Sequence, residues 1–450
     1  MTKQIKAFSM FDGVGGFIVG LNDANNEIGK DVFVTTHSNQ YEPSRKAQDA
    51  FEVGVYKFPE IEHSNTDIMN VSNSYFEEIH KKGVELILGG FPCQDYSVAR
   101  SKKNEMGIEG VKGVLFWEII RAVIHIKPKY LILENVDRLL KSPSNQRGRD
   151  MAVMLAAFNQ LGYSVEWRVI NAADYGRAQR RRRVFFFIYR NDTEIGKRFD
   201  KLYGIPSQDD ILFDDHSYDE YILHTGLFGR QFPVESYPNK NRYFSQVLSQ
   251  YDSQDEKMYI PDVSDNFVGK IWNAGVMRHG KYYTIDTTPI KEKPISLGEI
   301  VKMAQKWGSV DEKYFIKDKE RLEKFEYLRG AKRIERKTAE GHSWFYAEGG
   351  MSPYDNYELP ARTMLTSEGT LNRSTHLLKD GERYRLLTPV EAELLQDFPP
   401  NWTKYKKTSE GKIEEVSDRM RMFFMGNALV TGIVKRIGIE LNKMIEEADK

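Results

Sequence analysis

The first 190 residues alternate short apolar runs with segments of helical periodicity, and this alternation limits the folds open to the chain. The strand-like runs are 5–10, 32–36, 84–88, 130–133 and 184–189. Strands that alternate with helices predict a mostly parallel α/β sheet with helices on both faces. Ligands of such sheets bind at the carboxyl ends of the strands. We therefore expect functional residues to follow the strands directly.

The alternation fades after residue 190, and Gly, Pro, Asn, Asp and Tyr become frequent as far as about residue 359. This change indicates a second domain or a large insertion, in which 317–336 is predicted to be helical. Regular patterning returns at Thr388, which forms a capping box with Glu391, and 428–447 has the pattern of an amphipathic helix. The predicted domains are 1–190, 191–384 and 385–450.

The charges of the chain balance, with 65 Lys and Arg against 65 Asp and Glu. Net charge therefore neither indicates nor excludes nucleic acid as a partner. Six arginines between residues 177 and 190 form either a phosphate-binding cluster or a solvated face. No apolar run is long enough to cross a bilayer, and the N-terminus lacks the apolar core of a signal peptide. We expect a cytoplasmic protein that does not engage a membrane.

Cys93 is the single cysteine of the chain and lies in GGFPCQDYS, directly after the strand-like run 84–88. One thiol excludes an intramolecular disulfide and a cysteine-built zinc site, and we expect no metal. A lone cysteine is most often a small buried hydrophobe. Here Gly89, Gly90 and Pro92 place it at a strand-to-loop exit, which favours a thiol that is presented to a ligand.

Two further strand exits carry residues of chemical interest. Gly13, Gly15 and Gly16 follow the first strand and open a helix, which indicates either a site for a polar or anionic ligand or close helix packing. The turn has neither the Lys-Ser/Thr of a P-loop nor the GxGxxG spacing. Glu134 follows the run 130–133 and is either a buried acid with a raised pKa or a helix cap.

These three exits occur in order, each behind a strand, and here the chain resembles the DNA (cytosine-5) methyltransferases of the prokaryotic restriction–modification type. Six segments carry the resemblance in family order: FSMFDGVGGF, GGFPCQDYS, ENVDRLL, YGRAQRRRRVFFF, RLLTPVEAELLQDFP and MGNALV. It covers the first 190 residues and about the last 70. It implies a Rossmann-like, S-adenosylmethionine-dependent catalytic domain over 1–190, a target-recognition domain over 191–384, and a C-terminal segment that returns to the catalytic domain.

The resemblance implies methyl transfer to carbon 5 of a cytosine that is flipped out of duplex DNA. Cys93 would add to carbon 6 as a thiolate, which makes carbon 5 nucleophilic. Glu134 would contact ring nitrogen 3 and the exocyclic amine, and Arg183 would hold the ring carbonyl. Arg181 would support phosphate or loop contacts. No side chain is assigned to removal of the carbon 5 proton.

The cofactor that the resemblance implies is S-adenosylmethionine. Phe11 would stack on the adenine, while Gly13 and Gly15 admit the methionine part. The other expected cofactor contacts are Gln40, Asp67, Ile68, Pro92, Leu115 and Asn427. The family usually has an acidic residue for the ribose where this chain has Gln40. Either Gln40 accepts the ribose hydroxyl bonds, or Glu42 substitutes.

Double-stranded DNA is the expected partner, and the segment 191–359 is long enough to read its sequence. The expected DNA contacts are Gln94, Ser97, Gln179, Arg362, Asn372 and Arg373. Bidentate Arg–guanine and Asn–adenine bonds are the usual means of reading bases, although most polar side chains at such interfaces contact phosphates. The chain is expected to act as a monomer, with a cognate restriction or defence protein as a possible partner.

Two other functions fit parts of the sequence. An RNA cytosine methyltransferase would use the same catalytic residues on transfer RNA, but relatives that act on RNA have a shorter middle segment. A non-catalytic DNA-binding regulator on the same scaffold would not need Cys93, Glu134 and Arg183, all of which are intact here.

Overall fold

The computed structural model describes residues 4–91, 115–206, 216–235, 242–248, 259–337 and 341–450. Ten of its strands are β1 (Ile5–Met10), β2 (Phe33–Asn39), β3 (Glu62–Ser64), β4 (Val84–Gly90), β5 (Tyr130–Val136), β6 (Tyr163–Asn171), β7 (Arg182–Arg190), β8 (Tyr243–Val247), β9 (Ala274–Arg278) and β10 (Lys281–Ile285). They form one sheet in the order β3-β2-β1-β4-β5-β7-β6-β9-β10-β8.

The sheet is parallel in one half and antiparallel in the other. The five strands from β3 to β5 pair in parallel, as the strand–helix alternation predicts. From β5 onward the neighbouring strands pair antiparallel. The strands β8, β9 and β10 come from the region after residue 190 and extend the same sheet. The domain boundaries proposed from the sequence stay a prediction.

The helices connect and cover these strands. They are α1 (Gly16–Ile28), α2 (Asp49–Lys57), α3 (Asn73–Lys81), α4 (Leu115–Ile126), α5 (Arg149–Gln160), α6 (Glu194–Tyr203), α7 (His216–Glu220), α8 (Leu227–Gln231), α9 (Tyr259–Asn266), α10 (Leu297–Gln305), α11 (Lys319–Arg329), α12 (Pro389–Leu395), α13 (Asp418–Asn427) and α14 (Thr431–Ala448). The capping box holds: Thr388 Oγ1 accepts from the Glu391 backbone N–H, and Glu391 Oε2 accepts from the Thr388 N–H at 2.8 Å.

Both faces of the sheet are buried, which confirms the predicted helices on both sides. Along β1, Phe8 and Met10 pack with residues of α3, α4, α5 and α9. The alternate residues Ile5 and Ala7 pack with residues of α1, α6, α8 and α14 on the opposite face. Side chains of a strand alternate between faces, so a strand buried on both faces is mostly apolar, and β1 departs from this only at Lys6 and Ser9.

Six short strands form three separate antiparallel pairs. They are β11 (Lys332–Lys337), β12 (Ser343–Glu348), β13 (Leu378–Asp380), β14 (Arg383–Arg385), β15 (Tyr405–Lys407) and β16 (Ile413–Glu415). The helix predicted over 317–336 begins at Lys319 and ends at Arg329, and Gly330 and Ala331 separate it from β11. Pairing with β12, a contact that local sequence does not show, draws the second half of this segment into a strand.

Among the described residues, no single helix has the length and apolar run needed to cross a bilayer. One bent pair, α13 with α14 at 43°, passes a test of length and composition alone. In the structure α14 packs on α1 and contributes Val434, Ile437 and Leu441 to the core.

Candidate active site

The carboxyl edge of the parallel strands carries the residues that the sequence singles out. Gly13 follows β1, Gln40 follows β2, Phe91 follows β4, and Glu134 lies near the end of β5. This edge opens into a cavity of about 500 Å³, a size typical of small-molecule sites. The predicted site residues on its wall are Phe11, Gly13, Gln40, Leu115, Glu134, Arg181, Arg183 and Asn427.

Arg183 lies near the start of its strand, yet it reaches the same edge. Because β7 runs antiparallel to β5, Arg183 pairs with Val136 at the end of β5. Its Nε donates to Glu134 Oε1 at 2.9 Å, and its Nη1 donates to the Arg182 carbonyl at 2.7 Å. The reversal of one strand therefore brings the predicted arginine and glutamate into contact.

The Glu134 carboxylate is largely withdrawn from water, with 13% of its side chain exposed. Burial raises the pKa of Glu134, while the charges of Arg183 and Arg181 partly offset this effect. A glutamate held in this way keeps its proton to a higher pH than an exposed one. It can therefore act as a proton donor as well as a hydrogen-bond acceptor.

Four predicted site residues lie outside the described part of the chain: Pro92, Cys93, Gln94 and Ser97. The chain leading to them is held in place. Asn135 Nδ2 donates to the Phe91 carbonyl at 3.0 Å, and Asn135 Oδ1 accepts from the Val136 N–H at 2.7 Å. Asn135 is 2% exposed and was not assigned a role from the sequence, although it stands beside Glu134 in the Glu-Asn-Val exit. It fixes the point from which the cysteine segment departs.

Arg181 borders the cavity but is almost fully buried, and it ties together three chain segments. Its Nη1 donates to the Met364 carbonyl and its Nη2 to the Gly426 carbonyl, each at 3.0 Å. Burial, together with the nearby charge of Arg183, lowers the pKa of Arg181 to about 9. Through these bonds Arg181 positions the loop at 364 and the end of α13 beside the site.

Gln179 has a similar environment and is 0% exposed. Its Nε2 donates to the Leu395 carbonyl at 3.3 Å, and its Oε1 accepts from the Met364 N–H at 3.0 Å. Both ends of the amide are thus engaged inside the protein. The structure gives no support to a direct contact between Gln179 and DNA.

Gly426 is a glycine because the loop at 365 lies directly against it. A Cβ atom at this position would lie 2.4 Å from the Leu365 carbonyl carbon and the Thr366 nitrogen, both backbone atoms that cannot rotate away. We expect Gly426→Ala to lower the free energy of unfolding by about 1–3 kcal/mol and to weaken cofactor binding, because the loop and α13 must separate. Thermal denaturation and calorimetric cofactor titration measure the two effects.

The matched control is Gly54→Ala in α2. A Cβ there would meet only the His63 ring, at 3.7 Å, and alanine favours a helix. This variant should be neutral or slightly stabilising. Equal melting temperatures for Gly426→Ala and the parent protein would contradict the packing argument.

The glycine turn is held by Gln40. Gln40 Oε1 accepts from the Gly13 N–H at 2.7 Å. Gly15 has φ of 85°, and a Cβ there would lie 2.5 Å from the Phe58 ring, so both backbone and space require glycine. Glu42 also lines the cavity and accepts from the Ser44 hydroxyl at 2.6 Å. Gln40 and Glu42 both remain candidates for the ribose.

Asp12 is a cavity residue that the sequence reasoning passed over. It is 8% exposed, and its Oδ1 accepts from the Ser9 hydroxyl at 2.6 Å. Burial raises the pKa of Asp12 to about 6, and the Ser9 bond offsets this only in part. The sequence signal that could have identified Asp12 is its position inside the glycine turn, which opens toward a ligand.

Asp67 and Ile68 lie beside the site rather than on the cavity wall. Asp67 caps the short 3-10 helix Ile68–Asn70, with its Oδ1 accepting from the Met69 N–H at 3.0 Å. Ile68 is 3% exposed and packs in the core. Neither side chain lines the cavity as the structure has it. Their predicted contacts with the cofactor remain predictions.

The arginines predicted to read DNA are engaged in ion pairs. Arg362 Nε donates to Asp355 Oδ1 at 2.6 Å, and Arg373 Nη1 donates to Glu348 Oε2 at 2.9 Å. Asn372 caps its own loop, with Oδ1 accepting from the Ser374 N–H at 2.8 Å. In the structure these side chains bond to the segment around them, and their predicted contacts with DNA stay predictions.

Among the residues that the structure describes, no cluster of three or more His, Cys, Asp or Glu side chains could hold a metal ion. The cofactor expected from the sequence is organic. The cavity offers an aromatic ring at Phe11, a glycine turn and the Asp12 carboxylate. These groups suit a ligand with a purine ring and positive charge.

Comparison with known proteins agrees with this site. The family model described as C-5 cytosine-specific DNA methylase matches residues 5–443. The Type II methyltransferase M.Sau3AI of Staphylococcus aureus is 49% identical over 98% of this chain and 96% of its own length. M.HhaI of Haemophilus parahaemolyticus is 29% identical over 49% of this chain and 60% of its own.

Solved structures show the same fold at low sequence identity. The S. pombe Dnmt2 methyltransferase is 12% identical, with a TM-score of 0.53 over 99% of this chain and the whole of its own. A DNMT2 variant from Spodoptera frugiperda is 14% identical, with a TM-score of 0.53 over 98% of this chain and the whole of its own. The chain belongs to the C-5 cytosine-specific DNA methylase family and is a DNA (cytosine-5) methyltransferase.

Proposed function

We propose that the enzyme takes the methyl group from S-adenosylmethionine and places it on a cytosine within a specific duplex DNA sequence, through a covalent adduct of Cys93. The contact between Glu134 and Arg183 carries this proposal, because it sets a proton donor and a fixed cation side by side on the wall of the cavity. S-adenosylmethionine, when bound, supplies the methyl group. Phe11, Asp12 and the Gly13 turn would hold it.

Cys93 is the proposed nucleophile. It stands two positions after Phe91, whose carbonyl is bonded to Asn135. A thiolate that adds to carbon 6 of cytosine donates its electron pair into the ring, and carbon 5 gains the electron density needed to attack a methyl group. Loss of the carbon 5 proton then expels the thiolate and restores the ring. Because ring and thiol must meet, the cytosine has to leave the base stack.

Glu134 and Arg183 would hold the ring during this addition. The raised pKa of Glu134 favours a carboxyl that can protonate ring nitrogen 3 as charge develops there. Arg183 is fixed by Glu134 on one side and by the Arg182 carbonyl on the other. Its guanidinium lines the cavity, where it would donate to the ring carbonyl. Arg181 would act indirectly, through the loop and the helix end that it bonds.

Transfer of a tritiated methyl group tests the proposal. Duplex DNA and transfer RNA are offered in parallel, and bisulfite sequencing of DNA from cells that express the protein reports the methylated sequence. We expect label only in DNA, at one sequence. Label in transfer RNA alone would indicate an RNA methyltransferase, and DNA binding without any label would indicate a non-catalytic regulator.

Asp12 gives a pH-dependent prediction for the cofactor. S-adenosylmethionine carries an ammonium and a sulfonium, so an ionised Asp12 carboxylate stabilises it. Because the pKa of Asp12 is about 6, cofactor affinity should rise as pH increases through this value. We expect Asp12→Asn to bind S-adenosylmethionine roughly tenfold more weakly at pH 8, a typical effect of losing a charged hydrogen bond, and to lose the pH dependence. Calorimetric titration at pH 5 and pH 8 measures both.

Asp12→Asn weakens cofactor binding, but it should stabilise the ligand-free protein at high pH. Since folding raises the pKa of Asp12 from 3.8 to about 6, the folded state is stabilised by the proton, and stability is lost as pH rises through about 6. Asp12→Asn should therefore melt at a higher temperature than the parent at pH 8 and at a similar one at pH 4. The control is Asp192→Asn, which removes an exposed carboxylate that pairs with Arg190. A lower melting temperature for Asp12→Asn at pH 8 would contradict this assignment.

We further propose that the enzyme is the modification component of a Type II restriction–modification system, because its relatives are Type II methyltransferases. A single flipped cytosine needs one active site, so we propose a monomer. Light scattering of the free enzyme and of its complex with a short duplex tests this. One mass of about 52.2 kDa for the free protein is expected. A dimer in both samples would contradict it.

A further inference from the structure

The antiparallel ribbon formed by β11 and β12 stands apart from the cores of the protein. Its six residue pairs run from Lys332 with Glu348 to Lys337 with Ser343. Most of its side chains are exposed, and they include Trp344 at 46% and Phe345 at 53%. Since successive side chains of a strand point to opposite faces, both faces of this ribbon are left open by the described residues. A two-stranded ribbon with two open faces and exposed aromatic rings is typical of a binding element.

The ribbon is strongly basic on one strand. β11 carries Lys332, Arg333, Arg336 and Lys337 against one carboxylate, Glu335. Arg333 lies over the Phe345 ring at 4.3 Å, and Arg336 lies over the Tyr346 ring at 4.5 Å. Among the described residues, neither guanidinium is paired with a carboxylate. Stacking on a ring restricts a guanidinium while its N–H groups stay available, which suits recognition of phosphates and guanine edges.

The base of the ribbon is anchored to the rest of the protein. Arg373 Nη1 donates to Glu348 Oε2 at 2.9 Å and to the Leu328 carbonyl at 3.0 Å, and Arg373 Nη2 donates to the Gly349 carbonyl. Arg373 thereby joins the end of α11 to the end of β12. In the structure Arg373 positions the ribbon, and its predicted contact with DNA stays a prediction.

A second buried network supports the anchor. Arg329, which is 2% exposed, donates to Asp355 Oδ2 at 2.8 Å, and Arg362 donates to the same carboxylate. The adjacent arginines hold the pKa of Asp355 well below its usual range, although burial opposes them. The ribbon therefore projects from a rigid base.

We propose that this ribbon enters the major groove of the DNA and determines which sequence the enzyme methylates. The inference rests on the proposed function. The major groove accepts a two-stranded β-ribbon, and six residues of a strand extend over about 20 Å, roughly the length of six base pairs. The basic charge of the uncovered ribbon complements the phosphates of DNA. A purely apolar surface of a partner protein would not complement this charge. Arg333 and Arg336 contact DNA from the two faces of β11.

Substitutions on the exposed ribbon test this directly. The double substitution Arg333→Ala with Arg336→Ala, and the single substitution Trp344→Ala, are compared with two controls in the same region. Trp307→Ala removes a tryptophan that is 60% exposed, more than Trp344, and lies two residues after α10. Lys319→Ala removes a cation whose side chain is 90% exposed on α11. Fluorescence anisotropy with a labelled duplex gives affinity at several salt concentrations. Calorimetry with S-adenosylmethionine and melting curves report on the fold.

We expect the arginine double variant to bind a duplex that contains the target sequence of the enzyme at least about tenfold more weakly than the parent does. The salt slope should fall by about 0.9 for each phosphate that an arginine no longer neutralises. Trp344→Ala should also weaken binding, and bisulfite sequencing of a randomised DNA library should show a broader set of methylated sequences. Cofactor affinity and melting temperature should stay at parent values, and both controls should bind DNA as the parent does.

Unchanged affinity, salt slope and sequence profile in the ribbon variants would overturn the inference, and the ribbon would then serve another partner such as a protein. A failure of the proposed function would give a different experimental result. In that case the parent protein transfers no methyl group to DNA, whereas the anisotropy measurement still reports whether the ribbon binds the duplex.

Discussion

Replacing Cys93 with serine is expected to reduce methyl transfer to DNA by at least about a thousandfold, the scale on which enzymes lose activity when a covalent nucleophile is removed. The serine hydroxyl is similar in size but far less acidic than a thiol, so it supplies almost no anion to add to carbon 6 of the ring. The rate of tritiated methyl incorporation under single-turnover conditions measures this loss.

The Cys93→Ser variant should keep its other properties. The proposed cofactor residues Phe11, Asp12 and Gly13 lie on a different strand exit, after β1, so S-adenosylmethionine should bind with nearly the parent affinity. Binding to duplex DNA should also persist, because the nucleophile contributes little to it. Turnover within tenfold of the parent would rule out Cys93 as the nucleophile, whereas loss of cofactor binding would indicate a damaged fold.

Glu134→Gln is expected to lower the rate of transfer by about a hundredfold to ten-thousandfold, the usual range for loss of a general acid. Glutamine keeps the shape and a hydrogen-bond acceptor for Arg183, but it cannot deliver a proton to ring nitrogen 3. Since burial raises the pKa of Glu134, the parent should lose activity as pH rises through that pKa, and the variant should lack this limb of the pH profile.

A neighbouring ion pair is the control for Glu134. Arg182 Nε donates to Asp137 Oδ2 at 3.1 Å, and the Arg182 side chain is 60% exposed. Exposed pairs contribute little to stability, so Asp137→Asn should leave rate and pH profile near those of the parent. A Glu134→Gln variant with full activity and an unchanged pH profile would remove Glu134 from the mechanism.

Four of the five parallel strands could be predicted from the sequence, because the apolar runs in β1, β2, β4 and β5 alternate with helical segments and functional residues follow them. The short strand β3 has the polar sequence Glu-His-Ser and carries no such signal. The strand pattern alone could not predict the position of Arg183, which only the family resemblance assigned to the site. Its motif precedes a strand, and only the antiparallel direction of β7 brings it against Glu134. Strand direction depends on pairing with a distant segment, which local composition does not specify.

The role of the middle of the chain could not be predicted for the same reason. Arg362 and Arg373 have the residue type that reads bases, yet both are used in ion pairs that hold loops together. The basic and aromatic residues of β11 and β12 lie in a segment that was partly predicted to be helical. Their exposure becomes visible only when the two strands are paired.

A covalent trap tests the central claim most directly. The enzyme is incubated with S-adenosylmethionine and a duplex that contains its target sequence. In this duplex 5-fluorocytosine replaces the target cytosine. Fluorine replaces the proton that must leave carbon 5, so the adduct cannot resolve. Peptide mass spectrometry should then find the methylated nucleotide on Cys93 in the parent protein and no adduct in Cys93→Ser. An adduct on another residue, or methyl transfer by the parent to ordinary cytosine without any trapped adduct, would contradict the account.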